Sequence, residues 1–229
     1  MFEGRGLYDV RFSSGERDRK AGVWSVLVAR EFQPWIPANG VVLDLGCGFG
    51  EFSNNVVAGR RIAVDVSEES AAFLDPKIDF RAGDIGAIPW VADNSVDAVF
   101  TSNVLEHLSD RDHVARAVRE ARRVLRPGGV FIAMGPNIRY LAGPYWDFWD
   151  HVVPISDRSI CELLEMLHFE IVDAVPRFLP YTTKGRLPAS GFMLSLYLRM
   201  RILWPFFGRQ FLVRARKPHN GKPDREARF

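Results

Sequence analysis

Two groups of side chains in this sequence are typed and spaced for chemistry. The first is Val42-Leu43-Asp44-Leu45-Gly46-Cys47-Gly48-Phe49-Gly50-Glu51, where a short apolar run ends in three alternating glycines. Glycine at such points lets the backbone turn tightly and approach a ligand with no Cβ in the way. A Gly-rich turn leaving the first strand is where doubly wound sheets hold nucleotides. The dinucleotide fingerprint spaces its glycines G-x-G-x-x-G and offers a helix N-terminus to a pyrophosphate. Here the spacing is G-x-G-x-G, no Lys or Arg lies in the loop, and Asp44 stands two residues before Gly46. Charge therefore favours a ligand that carries a cation over one that carries phosphates. The second group is Asp150-His151, a carboxylate beside an imidazole, suited to deprotonating a hydroxyl as a general base. His107 is the second candidate base. Either histidine could instead be a hydrogen-bond donor within the fold, and Glu106 a helix cap.

These residues need a scaffold, and the hydrophobic pattern supplies one. Val41–Leu45, Arg61–Val66, Ile78–Ala82, Val96–Thr101 and Val130–Met134 are short apolar runs that read as buried strands, with Glu170–Ala174 and Phe211–Ala215 as the last two. Helical spacing of Val114, Ala117, Val118, Ala121 and Val124 predicts a helix over Asp112–Leu125, stopped by Pro127-Gly128-Gly129. A helix follows the glycine loop, another spans Glu16–Phe32, and Ser156 caps one running to His168. Strands alternating with helices predict an α/β fold: a Rossmann-like, doubly wound, mostly parallel seven-stranded sheet with helices on both faces. The connection from Val175 to Gln210 is a long insertion before the last strand, and such connections tend to be functional.

Composition bounds the rest. A chain of 229 residues suits one domain, here 1–216 with its core at 38–174 and a flexible tail at 217–229. The net charge of +2 is too small to argue for a nucleic-acid partner. Two cysteines, Cys47 and Cys161, fit a reducing, cytoplasmic setting, and Met1–Gly6 has no apolar secretory core. Phe192–Val213 is apolar but interrupted by Arg199, Arg201, Arg209, Pro205 and Gly208, so it is not expected to span a membrane.

Further acids and amides close successive strands: Asp65, nineteen positions past Gly46, then Gly83-Asp84-Ile85, Asn103-Val104-Leu105-Glu106-His107-Leu108, and Leu125-Arg126-Pro127-Gly128-Gly129. An acid about 20 residues past the loop can accept ribose hydroxyls, and Asp84 could read an adenine edge. Together with the glycine loop, this series resembles the class I S-adenosylmethionine-dependent methyltransferases, over roughly Gly40–Ala174. The resemblance implies S-adenosylmethionine as cofactor. It places Gly46 and Gly48 under the methionine moiety, Asp44 near its ammonium and Asp65 on the ribose. Asp84 would take the adenine amino group, Ile85 the adenine face, and Asn103 the methionine end. Leu45, Cys47, Gly50, Val66 and Val104 line the same strand ends.

The acceptor side begins after the fifth strand. Pro136-Asn137-Ile138-Arg139-Tyr140 and Tyr145-Trp146-Asp147-Phe148-Trp149-Asp150-His151 are dense in aromatics, which stack on sugars or lipid-like groups. A metal held by Asp147, Asp150 and His151 would lack a fourth ligand, so no metal is expected. These runs, with Phe178–Thr182, Tyr8-Asp9-x-Arg11-Phe12 and Val23-Trp24, are similar to methyltransferases encoded among bacterial glycan-assembly enzymes. That narrower similarity implies a hydroxyl or amine of a glycan or lipid-linked sugar as acceptor, with Tyr8, Arg11, Asn137, Tyr140, Tyr145 and Trp146 holding it. A small hydrophobic metabolite as acceptor and a catalytically silent cofactor-binding module are the rivals. An NAD-dependent oxidoreductase fits the glycine spacing poorly. The segment 192–213 could contact a membrane surface peripherally, form a lid, or serve as a dimer face.

Overall fold

The computed structural model describes residues 22–181 and 191–219, so the calls on Tyr8 and Arg11 lie outside the described residues. Seven strands build one sheet: β1 (Val41–Leu45), β2 (Arg60–Asp65), β3 (Asp79–Ala82), β4 (Val96–Ser102), β5 (Leu125–Pro136), β6 (Glu170–Val175) and β7 (Gln210–Arg216). Their order is β3-β2-β1-β4-β5-β7-β6. β7 runs antiparallel to both of its neighbours, and the other pairs are parallel. The order turns back between β1 and β4, which opens a crevice at their carboxyl ends. Leu45 lies level with Val64 of β2 and Thr101 of β4, so three strands end at one rim.

Alternation along the strands fills two layers. Leu43, Leu45, Val99, Phe131 and Phe211 face one core with Val114, Val118, Ile160 and Leu164. Those partners lie on α2 (Arg111–Val124) and α3 (Asp157–Met166). Val42, Phe100, Ile132 and Leu212 face the other, against Leu27, Phe32, Phe52, Phe178, Leu198 and Trp204. There the covering elements are α1 (residues 22–27), which widens into a π-helical turn at Val28–Phe32, and the insertion. The insertion carries α4 (Gly191–Arg199), a short turn at Arg201–Leu203 and α5 (Trp204–Phe207).

The caps are local and legible. Asp110 accepts a hydrogen bond from His113 N at the head of α2, and Ser156 and Ser159 cap α3 reciprocally, as expected of Ser156.

Several expectations are corrected. No regular helix follows the glycine loop; residues 50–55 are turns held by Asn54 N donating to Gly50 O and Val56 N to Phe52 O. β5 begins at Leu125 directly after α2, so Pro127-Gly128-Gly129 lies inside the strand, beside a register shift against Val96. The edge strands are not apolar throughout: β3 is half exposed and β6 alternates, because each has one solvated side. Lys217, expected at the start of the tail, is anchored: its Nζ donates to Asn94 Oδ1, Arg122 O and Leu125 O; residues 220–229 lie outside the described residues. Among the described residues no helix is long and apolar enough to cross a membrane.

Candidate active site

The glycine loop is stitched to its neighbours by backbone donors. Gly46 N and Cys47 N both donate to Val64 O, at 2.8 and 3.0 Å. Gly48 N donates to Asp65 Oδ2 at 2.8 Å, and Ser67 N to Asp65 Oδ1 at 3.0 Å. Asp65 therefore fixes the loop to the end of β2 before any ligand arrives. All three glycines adopt left-handed backbone, with φ of +78°, +51° and +74°. A Cβ on Gly46 would stand 2.3 Å from Val104 Cγ2, so only glycine lets the β4 rim close on the loop. At Gly48 a Cβ would meet only Glu51 Oε2, 3.9 Å away; this stretch of backbone is open to a ligand.

Asp44 lies beneath the loop, buried, with the Ser53 hydroxyl donating to its Oδ2 at 2.6 Å. Burial pushes its carboxyl up to about 7, and the Glu51 and Asp65 carboxylates add to the rise. A cation placed above it would restore the ionised form. Across the crevice Asn103 holds a left-handed φ of 52°, uncommon without glycine and frequent at functional sites. Its Nδ2 donates to Ser102 Oγ at 3.0 Å, while Oδ1 is buried with no hydrogen-bond partner among the described residues. Thr101 Oγ1 is in the same condition. Buried acceptors seldom go unpaired, so this rim is built for a donor from outside the chain.

Other cofactor candidates divide. Val66, directly after β2, is 85% exposed. Leu45 and Cys47 are buried, and burial pushes the Cys47 thiol upward. Ile85, expected on the adenine face, instead turns into the core with Ile88, Val91 and Val114. Asp84 is already engaged: its Oδ1 takes His113 Nε2 at 2.6 Å and Gly86 N at 2.7 Å, which lower its carboxyl. An adenine amino group would have to share it.

One helical turn past Val104, where His107 N donates to Val104 O at 2.9 Å, lies the second cluster. His107 Nδ1 sits 2.9 Å from Asp150 O and 3.3 Å from Asp150 Oδ2. Both partners accept only, so Nδ1 is the donor toward Asp150, and Nε2 lies 3.9 Å from Glu106 Oε1. The Asp150 carboxylate therefore orients His107, a pairing across 43 positions, whereas adjacency had suggested His151. His151 Nδ1 is 2.5 Å from Tyr145 O, its ring stacks on Tyr145 at 4.0 Å, and it lies 4.9 Å from the His107 ring. Donor atoms of His107, Asp150 and His151 all lie within 4.8 Å of one another, a set different from the one the sequence suggested.

Burial corrects two of the acceptor candidates, Asn137 and Tyr145, while Tyr140 and Trp146 are half-buried. Asn137 is fully buried, and its Nδ2 donates to Asp157 Oδ1 and Pro176 O, both at 2.8 Å. Tyr145 is buried, donating to Glu106 Oε1 at 2.9 Å. Trp146 Nε1 donates to Leu141 O, and Tyr140 lies under the Arg139 and Arg177 guanidiniums. These four hold the loop that carries Asp150 and His151; each has a partner within the chain.

Sequence reasoning missed three residues. Ser53 has no motif to mark it. Glu106 was read as a helix cap, yet it is buried at the centre of the cluster; burial raises its carboxyl, and its backbone O accepts from Val152 N and Val153 N. His113 is found only through α2.

Residues 43–133 match the methyltransferase domain family. A protein of Mycolicibacterium smegmatis named a probable S-adenosylmethionine-dependent methyltransferase is 38% identical over 146 residues, covering 60% of this chain and 54% of that one. The 27-O-demethylrifamycin SV methyltransferase of Amycolatopsis mediterranei is 34% identical over 100 residues, 38% of this chain and 35% of its own. The chain thus spans about half or less of these relatives' lengths. A SAM-dependent methyltransferase of Archaeoglobus fulgidus superposes with a TM-score of 0.61 at 20% identity, covering 94% of this chain and all of that one, and shares the fold. The methyltransferase domain and its relatives imply S-adenosylmethionine as cofactor. The crevice fits it: an open glycine backbone, a buried carboxyl ready to meet an ammonium, and the unpaired Asn103 Oδ1.

Proposed function

We propose that the protein transfers a methyl group from S-adenosylmethionine to a hydroxyl of a glycan or lipid-linked sugar acceptor. The observation that carries this reading is the Asp150–His107 pair, one turn from the Val104 side chain that closes on Gly46. When bound, the cofactor supplies an electrophilic methyl group on a sulfonium. Asp44, Asp65 and the glycine backbone hold and orient the nucleoside and its amino-acid end. His107 Nε2 would accept the proton of the acceptor's hydroxyl as that oxygen takes the methyl group the cofactor would supply. Asp150 keeps His107 in the productive tautomer, and His151 lines the approach. The exposed Trp149 and Phe148 beside His151 offer faces for the apolar side of a sugar ring.

A small-metabolite acceptor is the second reading, favoured by the rifamycin-modifying relative. Mass spectrometry of cell-envelope glycans and lipid-linked precursors, with and without the gene, tests the first. One CH2 less in a glycan of the deletion strain supports it. Unchanged glycans together with turnover of a small hydroxylated metabolite in an acceptor screen support the second.

A further inference from the structure

We propose that the face made by residues 191–207 seats this protein on an anionic lipid bilayer. The stretch 174–223 contains ten Lys and Arg and no Asp or Glu, although the whole chain carries 28 acidic residues. With a net charge of only +2 overall, the rest of the chain is net negative; Arg214 and Lys217 are engaged within the fold, and Arg199 and Arg201 lie on the face itself. Within it, α4, the turn after it and α5 expose large apolar side chains. Phe192 and Ile202 are each 76% exposed and Phe206 69%, with Leu196, Met200 and Phe207 exposed beside them. Single exposed apolar residues are ordinary; a run of them in one segment marks an interaction surface.

The patch is held on the body, so it is a face and not a loose strand. Leu198 and Trp204 turn inward onto Phe178 and Leu212. Trp204 Nε1 donates to Tyr197 O, and Arg177 binds Gly208 O and Phe206 O. Arg199 and Arg201 lie exposed among the apolar residues, the pattern of a surface that buries its apolar groups at the headgroup boundary while its cations meet lipid phosphates. Charge separates the occupants. A second copy of this chain would bring the same cations against themselves with no acid in the stretch to pair them. Nucleic acid would satisfy the arginines and leave Phe192, Ile202 and Phe206 against phosphates. An anionic bilayer satisfies both.

This deepens the acceptor reading, and rests on it only for the lipid-linked form. Bilayer seating itself is tested with no methyl transfer. The full chain is sedimented with vesicles of phosphatidylcholine alone or mixed with phosphatidylglycerol, at low salt. Binding to the anionic vesicles is expected, falling at least about tenfold in Arg199→Glu/Arg201→Glu and in Phe192→Glu/Phe206→Glu. Circular dichroism and unchanged S-adenosylhomocysteine affinity show that each variant is folded. Equal binding to both vesicle types, or unchanged binding by the folded variants, overturns the proposal. So does a wild-type dimer in light scattering that Phe206→Glu converts to monomer. Vesicle binding without any glycan product would sink the acceptor reading alone.

Discussion

Between pH 6 and pH 8 the affinity for S-adenosylhomocysteine should rise about tenfold, and Asp44 supplies the reason. This ligand keeps the amino-acid ammonium and lacks the sulfonium, so it isolates one charge. In the free protein the Asp44 carboxyl titrates at about 7, chiefly because it is buried. A ligand ammonium that binds only the carboxylate sees an apparent Kd multiplied by one plus the ratio of neutral to ionised Asp44. That factor is about 11 at pH 6, about 2 at pH 7 and about 1.1 at pH 8. The folding linkage has the opposite sign. Asp44 holds its proton above the ordinary 3.8, so its contribution to the unliganded fold weakens as pH rises from there toward 7. Ligand binding then expels about half a proton at pH 7. Isothermal titration calorimetry in two buffers of different ionisation enthalpy reads both the affinity and the proton. Asp44→Asn should flatten the profile and weaken binding at pH 8. Ser53→Ala, which removes the hydroxyl that favours the ionised form, should move the profile to higher pH. An affinity that is flat or falls from pH 6 to pH 8, or an equal slope in Asp44→Asn, refutes the reasoning.

Other expectations are shorter. His107→Ala should lower kcat by about 10²–10⁴-fold with cofactor affinity nearly unchanged. Asp150→Asn should lower kcat in the same assay and shift its pH profile, because the base loses its orienting carboxylate; equal loss of cofactor binding in both would assign the pair to structure. Chelator treatment should leave turnover intact if His107 works as a base, whereas loss of activity restored by a divalent metal would reassign the cluster within 4.8 Å. Tyr145→Phe strands the buried Glu106 carboxyl and should cost about 1–3 kcal/mol in chemical denaturation. Gly46→Ala should destabilise through both its left-handed backbone, about 1–2 kcal/mol, and its collision with Val104. Adding Val104→Ala should recover only the collision part; full recovery would show that backbone strain is absent.

Strand ends were readable because each joins an apolar run to a residue that breaks it. Asp44, Asp65 and Asn103 emerged where the spacing placed them, at the rim set by β1, β2 and β4. The parts that sequence obscured depend on contacts between distant residues. Adjacency in the chain linked Asp150 to His151, but the fold carries the Asp150 carboxylate to His107. Asn137 and Tyr145 look like ligand-facing polar groups until their buried partners Asp157 and Glu106 are known. Ile85 follows a site aspartate, and its apolar side chain goes to the core, as hydrophobic burial favours for a group of that size. The helix expected after the glycines is replaced by turns, in which Asn54 N donates to Gly50 O and Val56 N to Phe52 O.

The position of β7 bears on how the molecule comes into being. It is the last strand in sequence among the described residues, yet it lies between β5 and β6 and hydrogen-bonds to both. On a ribosome, β6 therefore emerges with no neighbour to join and must wait until residue 216 has left the exit tunnel. Stop codons or proteolytic cuts before Gln210 would leave two open sheet edges at once, the kind of surface that nucleates aggregation.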